Sequence, residues 1–159
     1  MITKTFNRLR KDIEKKDEIR EELIVKSRPI IKNSKQAIYA IHRAELKEAE
    51  ELIEKATTGL KELRKILNQK SSSFDSALQE YVEAVTYLNY VKTGELIDDK
   101  QLGVDAENYL LGICDLTGEL ARRAVFAVVK EDYKEVEKIK TFVSGIYEEF
   151  LKFELRNSE

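Results

Sequence analysis

Two pairs of carboxylates stand at helical spacing among apolar residues. Glu80 and Glu83 are three residues apart, and Asp115 and Glu119 are four apart. Two side chains at either spacing share one face of a helix, and the residues around both pairs are mostly apolar, so we expect all four acids to be buried. An uncompensated buried carboxylate is costly. The pattern therefore predicts a positive charge close to each pair.

A divalent cation or a basic side chain could supply that charge. Carboxylates without histidine or thiolate partners select hard ions, so the metal would be Mg²⁺ or Mn²⁺ rather than zinc. Arg122 follows Glu119 by three residues, however, and a structural ion pair between them explains Glu119 equally well. One arginine cannot balance four carboxylates, so a metal site remains a hypothesis that spacing alone does not decide.

The composition is that of a helical protein. The 159 residues fit one domain, which we predict to span residues 1–159. A single proline and six glycines leave few turns for a many-stranded sheet, while 36% charged and 42% hydrophobic residues suit amphipathic helices.

The cellular setting is predicted from cysteine usage and hydropathy. Cys114 is the only cysteine, which excludes an intrachain disulfide and suits a reducing compartment. No stretch has the apolar length of a secretion signal or a membrane span. We therefore expect a cytoplasmic protein that makes no membrane contact.

Helical periodicity covers most of the chain. The first helix is expected from about Asn7 to Arg43, with a kink or break at Pro29, which lacks an N–H donor. Glycines at both ends mark Thr93–Val104 as a loop. The pattern predicts an all-α fold, an antiparallel bundle of about five to seven helices. The other predicted helices run from Ala44 to about Leu67, from a cap at Asp75 or Ser73 to about Lys92, from an N-cap at Asp105 to about Lys130, and from Asp132 to about Arg156.

Three segments carry motifs in a fixed order. Val25–Arg43 contains Lys-Ser-Arg, Ser-Lys-x-x-Ile and His-Arg in that order, and Leu78–Ile97 contains the Glu-x-x-Glu pair. Tyr109–Arg122, which reads YLLGICDLTGELAR, is the most specific of the three. Together they resemble the translin family, and its nuclease-bearing branch around translin-associated factor X in particular.

The resemblance implies a function and an assembly. It marks Glu80, Glu83, Asp115 and Glu119 as the metal-binding and catalytic residues of an endoribonuclease that uses Mg²⁺ or Mn²⁺. The expected substrate is single-stranded or loosely paired RNA, with single-stranded DNA as an open alternative. Family members are all-helical subunits in closed shells, so we expect a homo-oligomer, an octamer, with its sites facing the interior.

Nucleic-acid binding must come from local basic residues, because the net charge of -2 gives no global attraction to a polyanion. Arg43 and Lys47, with Arg122 and Arg123, are the predicted phosphate contacts. A solvated helix face explains the first two at least as well, and Arg122 could instead orient a carboxylate. His42, the only histidine, is interpreted as a satisfied helix-end residue, with catalysis as the alternative.

Two other functions remain open at this point. A non-catalytic nucleic-acid-binding oligomer of the translin type would need the basic residues but gain nothing from buried acids. A helical scaffold would use Arg122 and nearby lysines to neutralise the same acids. Replacing Glu83 separates the three functions, because only the nuclease loses cleavage while keeping its assembly and its RNA binding.

Overall fold

A computed structural model describes residues 2–66 and 71–153, and every regular element within those ranges is a helix. The all-α prediction, with about five to seven helices, is confirmed. A short helix with a capping box between Asp98 and Gln101 lies inside the predicted loop. The helix ends predicted at Leu67 and Arg156 fall outside the described residues. The helices are α1 (Ile2–His42), α2 (Leu46–Ile66), α3 (Ser72–Thr93), α4 (Asp99–Leu102), α5 (Ala106–Val129) and α6 (Tyr133–Phe150).

The chain divides into two compact units, residues 1–113 and residues 114–159. Helix α5 begins in the first unit and continues into the second. In the first unit α1, α2 and α3 all pack against one another. The single domain predicted for residues 1–159 stays a prediction. The first unit has a core of fully buried side chains, which include Ile30, Ile41, Leu60, Leu63 and Tyr87. Burial of each large aliphatic side chain stabilises the fold by roughly 1.5–3 kcal/mol.

Pro29 does not end or divide α1, so the predicted break is wrong, whereas the predicted kink stays a prediction. The helix continues from Ile2 to His42 with Pro29 inside it. A proline removes the N–H that would bond to the carbonyl four residues earlier, here that of Val25. Pro29 and Val25 are both exposed, so water can satisfy that carbonyl. Ile30, only 1% exposed, keeps the next turn packed on the core.

The predicted helix caps are partly correct. Helix α3 has Ser71 as its N-cap, so its predicted cap at Asp75 or Ser73 is wrong, and both residues lie within the first turn. Asp105 does cap α5, since its Oδ1 accepts a hydrogen bond from the Asn108 N–H at 3.1 Å. Asp132 caps α6 in the same way by accepting from the Glu135 N–H.

Buried Asn108 fastens the start of α5 to the start of α3. Its Nδ2 donates to Asp75 Oδ1 at 3.0 Å and to Asp105 Oδ2 at 2.9 Å. Its Oδ1 accepts from Gln79 Nε2 at 2.8 Å. One turn further along α5, Gly112 is buried against Val82. The two contacts fix where α5 lies on α3, next to the Glu80–Glu83 pair.

The second unit consists of the rest of α5 together with α6. Ile139 and Ile146 of α6 are buried, whereas the C-terminal half of α5 exposes a run of apolar side chains. A helix that is apolar on every side needs neighbours on every side, and the single chain does not supply them to this half of α5. None of the described helices is long and apolar enough to cross a bilayer. The exposed residues of α5 are Val125, Phe126, Val128 and Val129.

Candidate functional site

Glu80 and Glu83 lie on α3 next to α1, and a lysine of α1 contacts the first of them. Lys35 Nζ is 3.0 Å from Glu80 Oε1, with the lysine side chain 54% exposed and the glutamate side chain 24% exposed. Glu83 is buried, at 8% exposure. The hydrogen bond to Glu80 is the main cause that raises the pKa of Lys35, and the charge of Glu83 adds to it. The pair therefore already has a cation beside it.

A second contact joins the same two helices two turns further along. Tyr87 is fully buried, and its Oη lies 3.2 Å from His42 Nδ1. Lys35 and His42 are seven residues apart on α1, as are Glu80 and Tyr87 on α3. The residue numbers increase together along both helices from one contact to the next, so α1 and α3 run parallel over this stretch. The Tyr87 contact agrees with the interpretation of His42 as a satisfied helix-end residue.

Asp115 and Glu119 belong to the second unit and are more accessible than expected. Asp115 is exposed, so its predicted burial is wrong. Glu119 has a side chain 24% exposed, and its Oε2 is 3.8 Å from Arg122 Nη1. The guanidinium of Arg122 also lies over the Phe126 ring, 5.9 Å from its centroid. The ion pair considered from the sequence is thus present, although at the long end of the distance range.

The ligand atoms of the carboxylate residues determine which metal ion they could bind. Glu80 and Glu83 offer oxygen donors only, which suits Mg²⁺ or Mn²⁺, and burial strengthens the attraction of Glu83 for a cation. Across residues 2–66 and 71–153, no three side chains of Asp, Glu, His or Cys are gathered closely enough to hold a metal as they stand. The oxygen donors of Glu80 and Glu83 are thus of the type that binds a hard cation, although Lys35 contacts Glu80 in this structure.

The predicted phosphate-contacting arginines are held by carboxylates. Arg43 Nε lies 2.6 Å from Glu45 Oε2, and its Nη2 lies 3.2 Å from Glu48 Oε2. The hydrogen bond between Arg43 and Glu45 raises the pKa of the arginine and lowers the pKa of the glutamate. Arg123 Nε is 2.7 Å from Glu135 Oε1. A bound phosphate would have to replace these partners, whereas Lys47 is exposed to solvent.

The contact between Lys35 and Glu80 is the feature that sequence reasoning missed. Nothing in the sequence around Lys35 shows which residue of α3 it meets. The one available signal in the sequence was that Lys35 and His42 have the same seven-residue spacing as Glu80 and Tyr87.

A family model described as the translin family matches residues 18–159. The chain belongs to the translin family. Its curated relatives include the Translin-associated protein X homolog of Schizosaccharomyces pombe, 30% identical over 149 residues that cover 80% of this chain and 64% of the relative. An uncharacterized protein of Methanocaldococcus jannaschii is 28% identical over 143 residues, covering 87% of this chain and 64% of the relative. This translin-family chain thus spans less than two thirds of the length of either relative.

Solved structures of similar proteins share the fold. The crystal structure of apo-NeC3PO has a TM-score of 0.86 and 30% identity, covering 96% of this chain and 83% of that one. The structure of an AfC3PO–duplex RNA complex has a TM-score of 0.80 and 30% identity, covering 94% of this chain and 81% of that one. Similarity at this level extends over nearly the whole translin-family chain.

Proposed function

We propose that this translin-family protein is a metal-dependent endoribonuclease that cleaves phosphodiester bonds in single-stranded or loosely paired RNA. The observation that carries the proposal is Glu83, a carboxylate kept at 8% exposure beside Glu80 on the same helix. Both residues stand in the Glu-x-x-Glu motif that the family resemblance marks as catalytic. Asp115 and Glu119, in the most specific of the three motifs, complete the proposed set of metal-binding residues.

The chain's own groups set the conditions for this chemistry. When bound, Mg²⁺ or Mn²⁺ supplies Lewis-acid catalysis and water activation. Glu80 and Glu83 would hold the cation from α3. Carboxylates repel a phosphate, so RNA can approach only when their charge is compensated. Because Glu83 is buried, solvent and salt screen its negative charge only weakly.

RNA and a second copy of the chain are the proposed partners. The AfC3PO neighbour was solved with duplex RNA, and Arg43, Lys47, Arg122 and Arg123 are the proposed phosphate contacts here. The exposed apolar residues of α5, Val125 to Val129 among them, would be covered by further copies in a homo-oligomer, which we propose to be an octamer. Apolar patches of this kind mark interaction surfaces.

The test is cleavage of a labelled single-stranded RNA by the purified protein, with Mg²⁺, with Mn²⁺ and with EDTA. The decisive variant is Glu80→Ala/Glu83→Ala. Glu51→Ala/Glu54→Ala is its matched control, because it removes two exposed acids at the same spacing from α2. We expect metal-dependent cleavage by the wild type and the control, and none by the α3 variant, with RNA binding and helicity unchanged in all three.

A non-catalytic RNA-binding oligomer is the alternative. The arginines that it would use are present, and the loss of Glu80 and Glu83 would then leave every measured property unchanged. RNA that is bound by the wild type but cut with neither metal would reject the nuclease proposal and establish this alternative.

A further inference from the structure

Lys35 is in direct contact with Glu80, the first of the two proposed α3 carboxylates. Its Nζ lies 3.0 Å from Glu80 Oε1, and Glu83 also contributes to its electrostatic environment. We propose, on the basis of the proposed function, that Lys35 is an exchangeable counter-ion of this pair. It holds the Glu80 carboxylate in the metal-free protein and must give it up when a divalent cation binds.

The exposure of the two side chains permits this exchange. Lys35 is 54% exposed and carries its charge on a flexible four-carbon stem. Its ammonium can therefore move into water without a large desolvation change. Glu80, at 24% exposure, is accessible enough to change partner. A buried ion pair would resist such a change, because breaking it leaves an uncompensated charge in a low dielectric.

The charges define the direction of the effect. A divalent cation that binds Glu80 must displace the ammonium and then tolerate a like charge nearby. Both effects weaken metal binding, so removing the ammonium should strengthen it. A merely structural ion pair predicts the reverse, because its loss would loosen the junction between α1 and α3 and disorder the carboxylate.

Each matched variant replaces a single lysine. Lys35→Gln removes the ammonium and keeps a side chain of similar length, and Lys35→Arg keeps the positive charge. Lys61→Gln removes the same charge from an exposed position on α2, away from the proposed contacts. Both positions carry exposed side chains, so all three variants should fold, which circular dichroism would verify.

The experiment is calorimetric titration of each full-length protein with Mn²⁺ alone at fixed ionic strength. We expect Lys35→Gln to bind Mn²⁺ about three- to fivefold more tightly than the wild type, the range that an exposed ion pair supports. Lys35→Arg and Lys61→Gln should stay within about 1.5-fold of the wild type on the same reasoning. Raising the salt concentration should reduce the advantage of Lys35→Gln, because the effect is electrostatic.

The outcomes separate this inference from the nuclease proposal. Unchanged or weaker Mn²⁺ binding by Lys35→Gln overturns the counter-ion role, whatever the cleavage assay shows. Tighter binding by Lys35→Gln supports it even if no variant cleaves RNA, in which case only the nuclease proposal fails. A wild type that binds no Mn²⁺ overturns both.

Discussion

At Gly112, helix α5 approaches Val82 of α3 so closely that no side chain fits between them. A Cβ at Gly112 would lie 2.7 Å from both Cβ and Cγ1 of Val82 and 2.9 Å from the backbone oxygen of Gln79. The backbone oxygen cannot rotate away as a flexible side chain could. The glycine is therefore required by the approach of the two helices, in the turn of α3 that carries Glu80 and Glu83.

Gly112→Ala should destabilise the protein, by about 1–3 kcal/mol in the free energy of unfolding, because the helices must separate to admit the methyl group. Gly118→Ala, in the same helix, is the matched control. Its Cβ would meet nothing within 4 Å, so the better helix propensity of alanine should stabilise the protein by about 0.5–1 kcal/mol. Urea unfolding monitored by circular dichroism measures both. Equal changes in the free energy of unfolding for the two substitutions would show that α3 leaves room for a methyl group at position 112.

Asp105→Ala should lower stability by about 1 kcal/mol at pH 7, the usual value of a helix N-cap. Hydrogen bonds from Asn108 lower the pKa of Asp105 in the folded protein. A carboxyl whose pKa is lower in the folded state stabilises the fold above its unfolded pKa, and that stabilisation is lost as the pH falls through the folded value. The difference between wild type and variant should therefore shrink below about pH 4.

Thermal unfolding of both proteins between neutral and acid pH tests this. Asp105→Asn is the control, since asparagine caps helices without titrating. Its stability relative to Asp105→Ala should not follow the carboxyl titration. A gap between wild type and Asp105→Ala that widens as the solution becomes acid would contradict the assignment.

Glu83→Gln should reduce RNA cleavage on the order of 100-fold or more while leaving RNA affinity unchanged, since the amide keeps the shape but not the charge that a metal requires. Glu54→Gln, an exposed residue on α2, should leave the rate unaltered. Single-turnover cleavage at saturating enzyme separates the chemical step from binding. An equal loss in binding and rate would point to a structural role for Glu83 instead.

Arg43→Gln/Lys47→Gln should weaken RNA binding and flatten its salt dependence. Each lost phosphate contact on a single strand reduces the slope of log K against log salt by about 0.7, so two contacts would change it by about 1.4. Lys61→Gln should leave the slope as in the wild type. Fluorescence anisotropy at several salt concentrations measures the slopes. A weaker affinity with an unchanged slope would place these residues outside the phosphate contacts.

Helical periodicity predicted the elements well because most of the chain repeats apolar residues at the spacing of a helix face. Asp105 was predicted as a cap because it directly precedes such a repeat. The start of α3 was missed because Ser71 caps it without a side-chain hydrogen bond, and Asp75 binds Asn108 instead. The break at Pro29 was wrongly predicted because the effect of a proline inside a helix depends on whether water reaches the carbonyl four residues earlier.

The candidate site was predictable only in part. The i, i+3 and i, i+4 spacings identified which carboxylates share a helix face, since that information is local. Neither spacing could show that Lys35 contacts Glu80, because that contact depends on how α1 lies against α3. The exposure of Asp115 was missed because an apolar sequence around a residue does not reveal how many neighbours one chain supplies.

The paired contacts between α1 and α3 also restrict how this family member can change in length. The contacts Lys35–Glu80 and His42–Tyr87 can form together because the two residues on each helix are seven positions apart. An inserted residue within 35–42 would rotate one contact by about 100° around its helix while leaving the other in place. Insertions and deletions should therefore be excluded from 35–42 and 80–87, even at positions where substitutions are harmless.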